Sequence, residues 1–224
     1  MIRCVAFDFD GTLVDSNAIK RRTFFDLVEH IDTGERTVTR VLDELRPGDR
    51  YAVTREVARL LVEQGSGPTG VSAVEWGACL AEDYTRRCET AVSRCREIPG
   101  ASAALTWLAA EGIDCYVNSA TPEGALRTIV RRRSLDARFR QVLGGPASKS
   151  ENLDRIRADA GVSANAILMV GDGEEDRSAA ASFGCRFAGV ARIDRSRFAI
   201  EPEVCMQDLT ALPRVVTRMR ERAA

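Results

Sequence analysis

The sequence predicts a doubly wound α/β domain, a parallel sheet with helices on both faces, interrupted by an inserted all-helical domain. Three observations predict it. Residues 3–7, 113–118, 166–170 and 185–190 are short apolar runs of buried-strand length, each bounded by turn or polar residues. Helical patterns fall between the later runs, and strands alternating with helices read as a covered parallel sheet. The long interval between the first two runs carries helical patterns alone, and about eighty residues is too much for one crossover connection.

The elements follow in order. Cys4, Val5, Ala6 and Phe7 open the chain as a strand. From residue 17 to about 96 come four helical patterns. Ile19, Phe24, Leu27, Val28 and Ile31 mark the first, and Val38, Val41, Leu42 and Leu45 the second. Val53, Val57, Leu60 and Leu61 mark the third, and Cys79, Leu80, Tyr84 and Cys88 the longest. The glycine-rich stretch 64–70 separates the last two as a loop. Pro99-Gly100 announces the return of alternation. Helices are expected over 101–111, 123–134 and 151–160, with a weaker fifth strand at 141–144. The expected division is therefore 1–16 with 97–224 for the α/β domain, and 17–96 for the insertion.

Composition narrows the function classes. Lys plus Arg number 32 and Asp plus Glu 33, a net charge of −1 that leaves no footprint for nucleic acid. No apolar stretch approaches the length of a membrane span. The chain starts directly on a strand-like run without a leader pattern, so a cytoplasmic protein with no membrane partner is expected. Its 7 cysteines are odd in number and form no CxxC pair, which fits neither a disulfide framework nor a zinc site. Cys88 and Cys95, seven residues apart, could share a helix face, and buried free thiols are expected there. The one histidine, His30, falls in the first amphipathic pattern of the insertion, and its solitude excludes multi-histidine metal sites.

The chemistry sits at strand ends, where open α/β sheets bind ligands. Asp8-Phe9-Asp10-Gly11-Thr12 follows the first strand directly. Two carboxylates so close repel unless a cation or a shared proton compensates. Gly171-Asp172-Gly173-Glu174-Glu175-Asp176 follows the third strong run and brings further acids to the same sheet edge. With no histidine or cysteine nearby, an all-oxygen site suits magnesium before zinc. Glu174 and Glu175 read as ordinary helix N-terminal acids. Ser119 ends its strand with a hydroxyl, and Lys149 offers a cation in the loop 147–150.

This constellation resembles the haloacid dehalogenase superfamily, in its phosphatase branch, over the whole chain. Asp8, Asp10, Gly11 and Thr12 match its first motif, Ser119 its second, Lys149 its third, and Asp172 with Asp176 its fourth. The resemblance implies a Rossmann-like core with a helical cap that excludes water and selects substrate. It implies Asp8 as nucleophile, forming an aspartyl-phosphate, and Asp10 as the acid and base that protonates the leaving group and then activates water. Mg2+ would be held by Asp8, the Asp10 backbone carbonyl and Asp172. Ser119, the Ala120 amide and Lys149 would bind phosphate, with Asp176 orienting Lys149 and Thr12 bracing the loop.

Asp10 selects within the family. Dehalogenase members lack an aspartate there, so phosphate-ester chemistry on a small phosphorylated metabolite is favoured. Similarity extends to phosphoglycolate phosphatases and to β-phosphoglucomutases, so a phosphomutase is the alternative, and a catalytically silent binding protein the remoter one. Within the insertion, the stretch 45–51 is the candidate recognition loop, where Arg46 and Arg50 could clasp an anionic group or form a solvated turn.

Overall fold

The computed structural model describes residues 1–45, 50–191 and 198–221. They divide into two compact units, 1–16 with 93–224, and 17–92. The second junction falls at residue 93 rather than 97. Residues 93–96 leave the preceding helix and join the first unit, where Asp15 N–H donates to Arg96 O at 2.9 Å and Arg133 to Cys95 O at 2.8 Å.

The first unit is built on one parallel six-stranded sheet: β1 (Cys4–Phe7), β2 (Asp114–Pro122), β3 (Gln141–Gly145), β4 (Ile167–Gly171), β5 (Arg186–Val190) and β6 (Cys205–Met206). The spatial order is β3-β2-β1-β4-β5-β6. Its helices are α5 (Ala101–Ala110), α6 (Glu123–Arg132), α7 (Lys149–Ala160), α8 (Glu174–Phe183) and α9 (Leu212–Glu221). All four residues of β1 are buried, as a strand covered on both faces requires. Leu153 and Ile156 of α7 and Ala180 of α8 pack with Cys4, Ala6, Tyr116, Leu143, Ile167 and Met169 in one cluster on one face.

The chain order β1, β2, β3 runs outward to one side of β1, and β4 then returns to its other side. β1 and β4 thus flank the topological switch point, where the carboxyl ends of the strands open a crevice. Asp8 and Asp172 stand one residue beyond those two strands.

Several expected boundaries shift. Strand β2 continues past Asn118 to Pro122, so Ser119 lies within it rather than at its end. Lys149 opens α7 instead of sitting in a loop. Ser148 caps this helix by accepting from Glu151 N–H, and Glu151 reciprocates, a capping box that the sequence Ser148-Lys149-Ser150-Glu151 carries openly. Strand β6, only two residues long, and helix α9 had no expectation attached to them.

The second unit holds α1 (Asn17–Asp26), α2 (Gly34–Glu44), α3 (Arg50–Glu63) and α4 (Ala73–Val92). Phe24 stacks on Tyr84 with ring centroids 4.2 Å apart. Gly77 permits the close approach of α4 to α3, since a Cβ there would lie 2.9 Å from Arg55 Cα. The first helix stops at Asp26, so His30 is exposed in a turn and not on a helix. All seven cysteines are free; Cys4, Cys88 and Cys115 are buried and Cys79 is exposed, so the expected burial holds for Cys88 and only in part for Cys95. Among the described residues no helix is long and apolar enough to cross a membrane.

Candidate active site

The site grows from the end of β1. The Asp8 N–H donates to Val170 O at 2.8 Å, so the ladder between β1 and β4 still holds the backbone at Asp8. The chain then turns sharply: Gly11 N–H donates to Val14 O at 2.8 Å and Leu13 N–H to Phe9 O at 3.0 Å. Gly11 takes a φ of 80°, which side-chain-bearing residues rarely adopt. Thr12 is completely buried, and its hydroxyl has no hydrogen-bond partner among the described residues.

Asp8, Asp172 and Asp176 bring carboxylate oxygens within 4.8 Å of one another, and all three are buried. Lys149 enters this cluster from α7. Its Nζ lies 3.1 Å from Asp8 Oδ1 and also contacts Asp176 Oδ1. Asp176 is fixed further by the Gly173 N–H, which donates to its Oδ2 at 3.1 Å. Gly171 makes room for this carboxylate, since a Cβ there would lie 2.2 Å from Asp176 Cγ.

Burial dominates the electrostatics. It pushes the Asp8 carboxyl up to about 7, against the opposing pull of Lys149 and with help from the nearby Asp176 and Asp10. Asp176 is raised for the same first reason, opposed by Lys149. Burial works against the Lys149 charge, but Asp176 and Asp8 outweigh it and hold the ammonium protonated.

Asp10 has a different environment from Asp8. Ser16 Oγ donates to its Oδ1 at 2.7 Å and Thr121 Oγ1 to its Oδ2 at 2.9 Å. Ser119 is buried beside this pair, and its Oγ accepts from Thr121 N–H at 3.2 Å, while Ala120 is exposed. Sequence reasoning missed both hydroxyl partners of Asp10. Neither residue has a part in the motif match.

It also missed Asn118, completely buried, whose Nδ2 donates to Lys149 O at 2.9 Å and so ties β2 to the start of α7. A lone buried-strand asparagine was the available signal, since such a residue needs a partner.

Glu174 behaves as an ordinary helix-start acid, accepting from Arg177 at 2.9 Å and from Ala199 N–H at 2.8 Å. In the second unit, Arg46 lies outside the described residues. Arg50 is the first residue of α3 rather than part of a loop, and only 7% exposed. Its guanidinium lies 5.3 Å from the Tyr84 ring centroid and donates to Thr85 Oγ1 at 3.4 Å, with no carboxylate paired to it among the described residues.

A model of the haloacid dehalogenase-like hydrolases matches residues 2–184, and the chain belongs to that family. The phosphoglycolate phosphatase of Rhodospirillum rubrum is 31% identical over 198 residues, covering 82% of this chain and 77% of its own. Among solved structures, a predicted phosphoglycolate phosphatase from Haemophilus somnus superposes with a TM-score of 0.76 at 18% identity, covering 96% of this chain and 98% of its own. The β-phosphoglucomutase of Clostridium difficile reaches 0.74 at 16% identity, covering 100% and 99%. At those identities the two structures speak for the fold, including its inserted helical domain.

Proposed function

We propose that the chain is a magnesium-dependent phosphatase of small phosphorylated metabolites, phosphoglycolate foremost, working through an aspartyl-phosphate on Asp8. One observation carries the reading. Two aspartates two residues apart are held differently: Asp8 meets the Lys149 ammonium, and Asp10 accepts from the Ser16 and Thr121 hydroxyls. Carboxylates kept in different environments are suited to different tasks, one as nucleophile and the other as proton carrier. The relative from Rhodospirillum rubrum, named a phosphoglycolate phosphatase, supports the substrate class.

The donor set suits a hard cation. Asp8, Asp10, Asp172 and Asp176 are all buried carboxylates, and the Lys149 ammonium neutralises one charge among them. With Asp176 engaged by Lys149 and Gly173, Asp8, Asp172 and the Asp10 carbonyl are the groups that would hold Mg2+. When bound, the cation supplies charge that eases the approach of an anionic nucleophile to an anionic ester.

The residues act as follows. An Asp8 carboxylate oxygen bonds to phosphorus as the ester P–O bond breaks. The electron pair goes to the leaving oxygen, which takes a proton from Asp10. A water then gives its proton to Asp10 and bonds to phosphorus, breaking the P–O bond to Asp8 and releasing phosphate. Lys149, Ser119 and the Ala120 amide would hold phosphoryl oxygens, with Asp176 orienting Lys149. Arg50, a buried guanidinium with no carboxylate paired to it among the described residues, suits the carboxylate of phosphoglycolate or another substrate anion.

The test is phosphate release from a panel of phosphorylated metabolites, with and without Mg2+, for wild type and Asp8→Asn. Release that needs Mg2+, favours phosphoglycolate and disappears in Asp8→Asn is expected. A folded wild type inactive across the panel would sink the reading, and glucose 1-phosphate isomerisation would mark a mutase instead.

A further inference from the structure

We infer that Thr121 is a positioning residue for the leaving-group acid, setting the plane of the Asp10 carboxyl and coupling it to the phosphate-side hydroxyl of Ser119. The inference rests on the phosphatase reading and deepens it.

The backbone places Thr121 through an irregularity in the sheet. Strands β2 and β3 run in register through Asn118 opposite Leu143, then resume at Pro122 opposite Gly145. Ser119, Ala120 and Thr121 therefore stand against Gly144 alone, a bulge of the kind that re-aims side chains beside active sites. Gly144 is what allows it, because a Cβ there would lie 2.4 Å from Thr121 O.

Asp10 needs positioning because the last torsion of an aspartate is broad and roughly two-fold. A bond at one oxygen leaves the carboxyl free to swing, whereas Ser16 on Oδ1 at 2.7 Å and Thr121 on Oδ2 at 2.9 Å together fix its plane. Each hydroxyl occupies one acceptor site of its oxygen. Thr121 is 4% exposed and Ser16 0%, so water does not readily replace either bond. Through its own N–H on Ser119 Oγ, at 3.2 Å, Thr121 satisfies that oxygen as acceptor and leaves the Ser119 hydrogen available to a phosphoryl oxygen.

The consequence depends on the leaving group. As the Asp8–phosphorus bond forms and the ester P–O bond breaks, an alkoxide oxygen must receive the Asp10 proton. A p-nitrophenolate leaves without it. Loss of the Thr121 hydroxyl therefore slows alkyl esters selectively, which a general packing defect would not do.

Single-turnover quench kinetics with enzyme in excess and Mg2+ present test this, with phosphoglycolate and p-nitrophenyl phosphate as paired substrates. Thr121→Val is expected to slow transfer from phosphoglycolate by about tenfold or more, and from the aryl ester by less than about threefold. Thr121→Ser, which keeps the hydroxyl, should restore the wild-type ratio. Thr121→Ala, with no branched methyl to accommodate, reads the same ratio if the valine variant does not fold. Equal slowing of both substrates, or none, overturns the inference while the phosphatase reading stands. A wild type that turns over neither substrate overturns both.

Discussion

Lys149 Nζ lies 3.1 Å from Asp8 Oδ1, so the first residue of α7 supplies the counter-charge for the carboxylate at the end of β1. The same ammonium contacts Asp176, and the three groups are almost shut off from water. The site is thus also part of the stability of the fold, and several of its properties are measurable without substrate.

Replacing Lys149 with Met leaves Asp8 and Asp176 buried without their shared cation. Breaking a buried pair from one side costs about 3–5 kcal/mol. A fall of that order in unfolding free energy, together with loss of phosphatase activity, is expected from denaturant titration and turnover assays. An unchanged midpoint would mean that the pair contributes nothing to the fold.

The raised Asp8 carboxyl makes stability pH-dependent in a definite direction. The folded protein holds a proton on Asp8 up to about 7, whereas the unfolded chain releases it near the ordinary 3.8. Between those values the folded state binds more protons, so the metal-free protein loses stability as pH rises through the window. Asp8→Asn removes this contribution, and its melting temperature should exceed that of the metal-free wild type by a margin that grows up to about pH 7. Mg2+ should raise the wild-type melting temperature more at pH 8 than at pH 5. A margin independent of pH would contradict the assignment.

Two glycines of the fourth motif should respond differently to alanine. A Cβ on Gly171 would lie 2.2 Å from Asp176 Cγ, whereas on Gly173 its nearest neighbour is Asp176 Oδ2 at 3.5 Å, an ordinary contact. Gly171→Ala is expected to displace the Asp176–Lys149 pair, costing about 1–3 kcal/mol and most of the activity. Gly173→Ala should stay near wild type in both, as thermal melts and turnover would report.

Arg50 gives a prediction about the substrate. Lysine keeps the charge but not the planar fork that grips a carboxylate at two points. Arg50→Lys should raise KM for phosphoglycolate about tenfold and leave KM for p-nitrophenyl phosphate, which has no carboxylate, within about twofold. Equal changes for both esters would remove Arg50 from substrate binding.

Much of this was legible in the sequence because the signals were local. Apolar runs such as 166–170 ending in Gly171-Asp172 mark a strand and its chemically loaded end together. Asp8, Asp10 and Asp172 stand out for the same reason, whereas Lys149 stands out only through the family resemblance. What escaped depended on tertiary geometry. Thr121 carries no local sign of its contact with Asp10, because the bulge opposite Gly144 follows from strand pairing rather than local preference. Arg50 looked like a loop residue because Pro47-Gly48 suggests a turn, yet α3 begins at Arg50 and packs it over Tyr84. Strand β6 is too short for periodicity to register.

The most direct test of the central claim is to catch the phosphoryl group on Asp8. Turnover mixtures of wild type or Asp10→Asn with phosphoglycolate and Mg2+ would be quenched into borohydride, which reduces an aspartyl-phosphate to homoserine, and peptides read by mass spectrometry. The account predicts homoserine at residue 8 only when substrate and Mg2+ are both present, with more in Asp10→Asn if hydrolysis of the intermediate is the slower step. Rapid phosphate release with Asp8 unmodified, or reduction at another carboxylate, would contradict it.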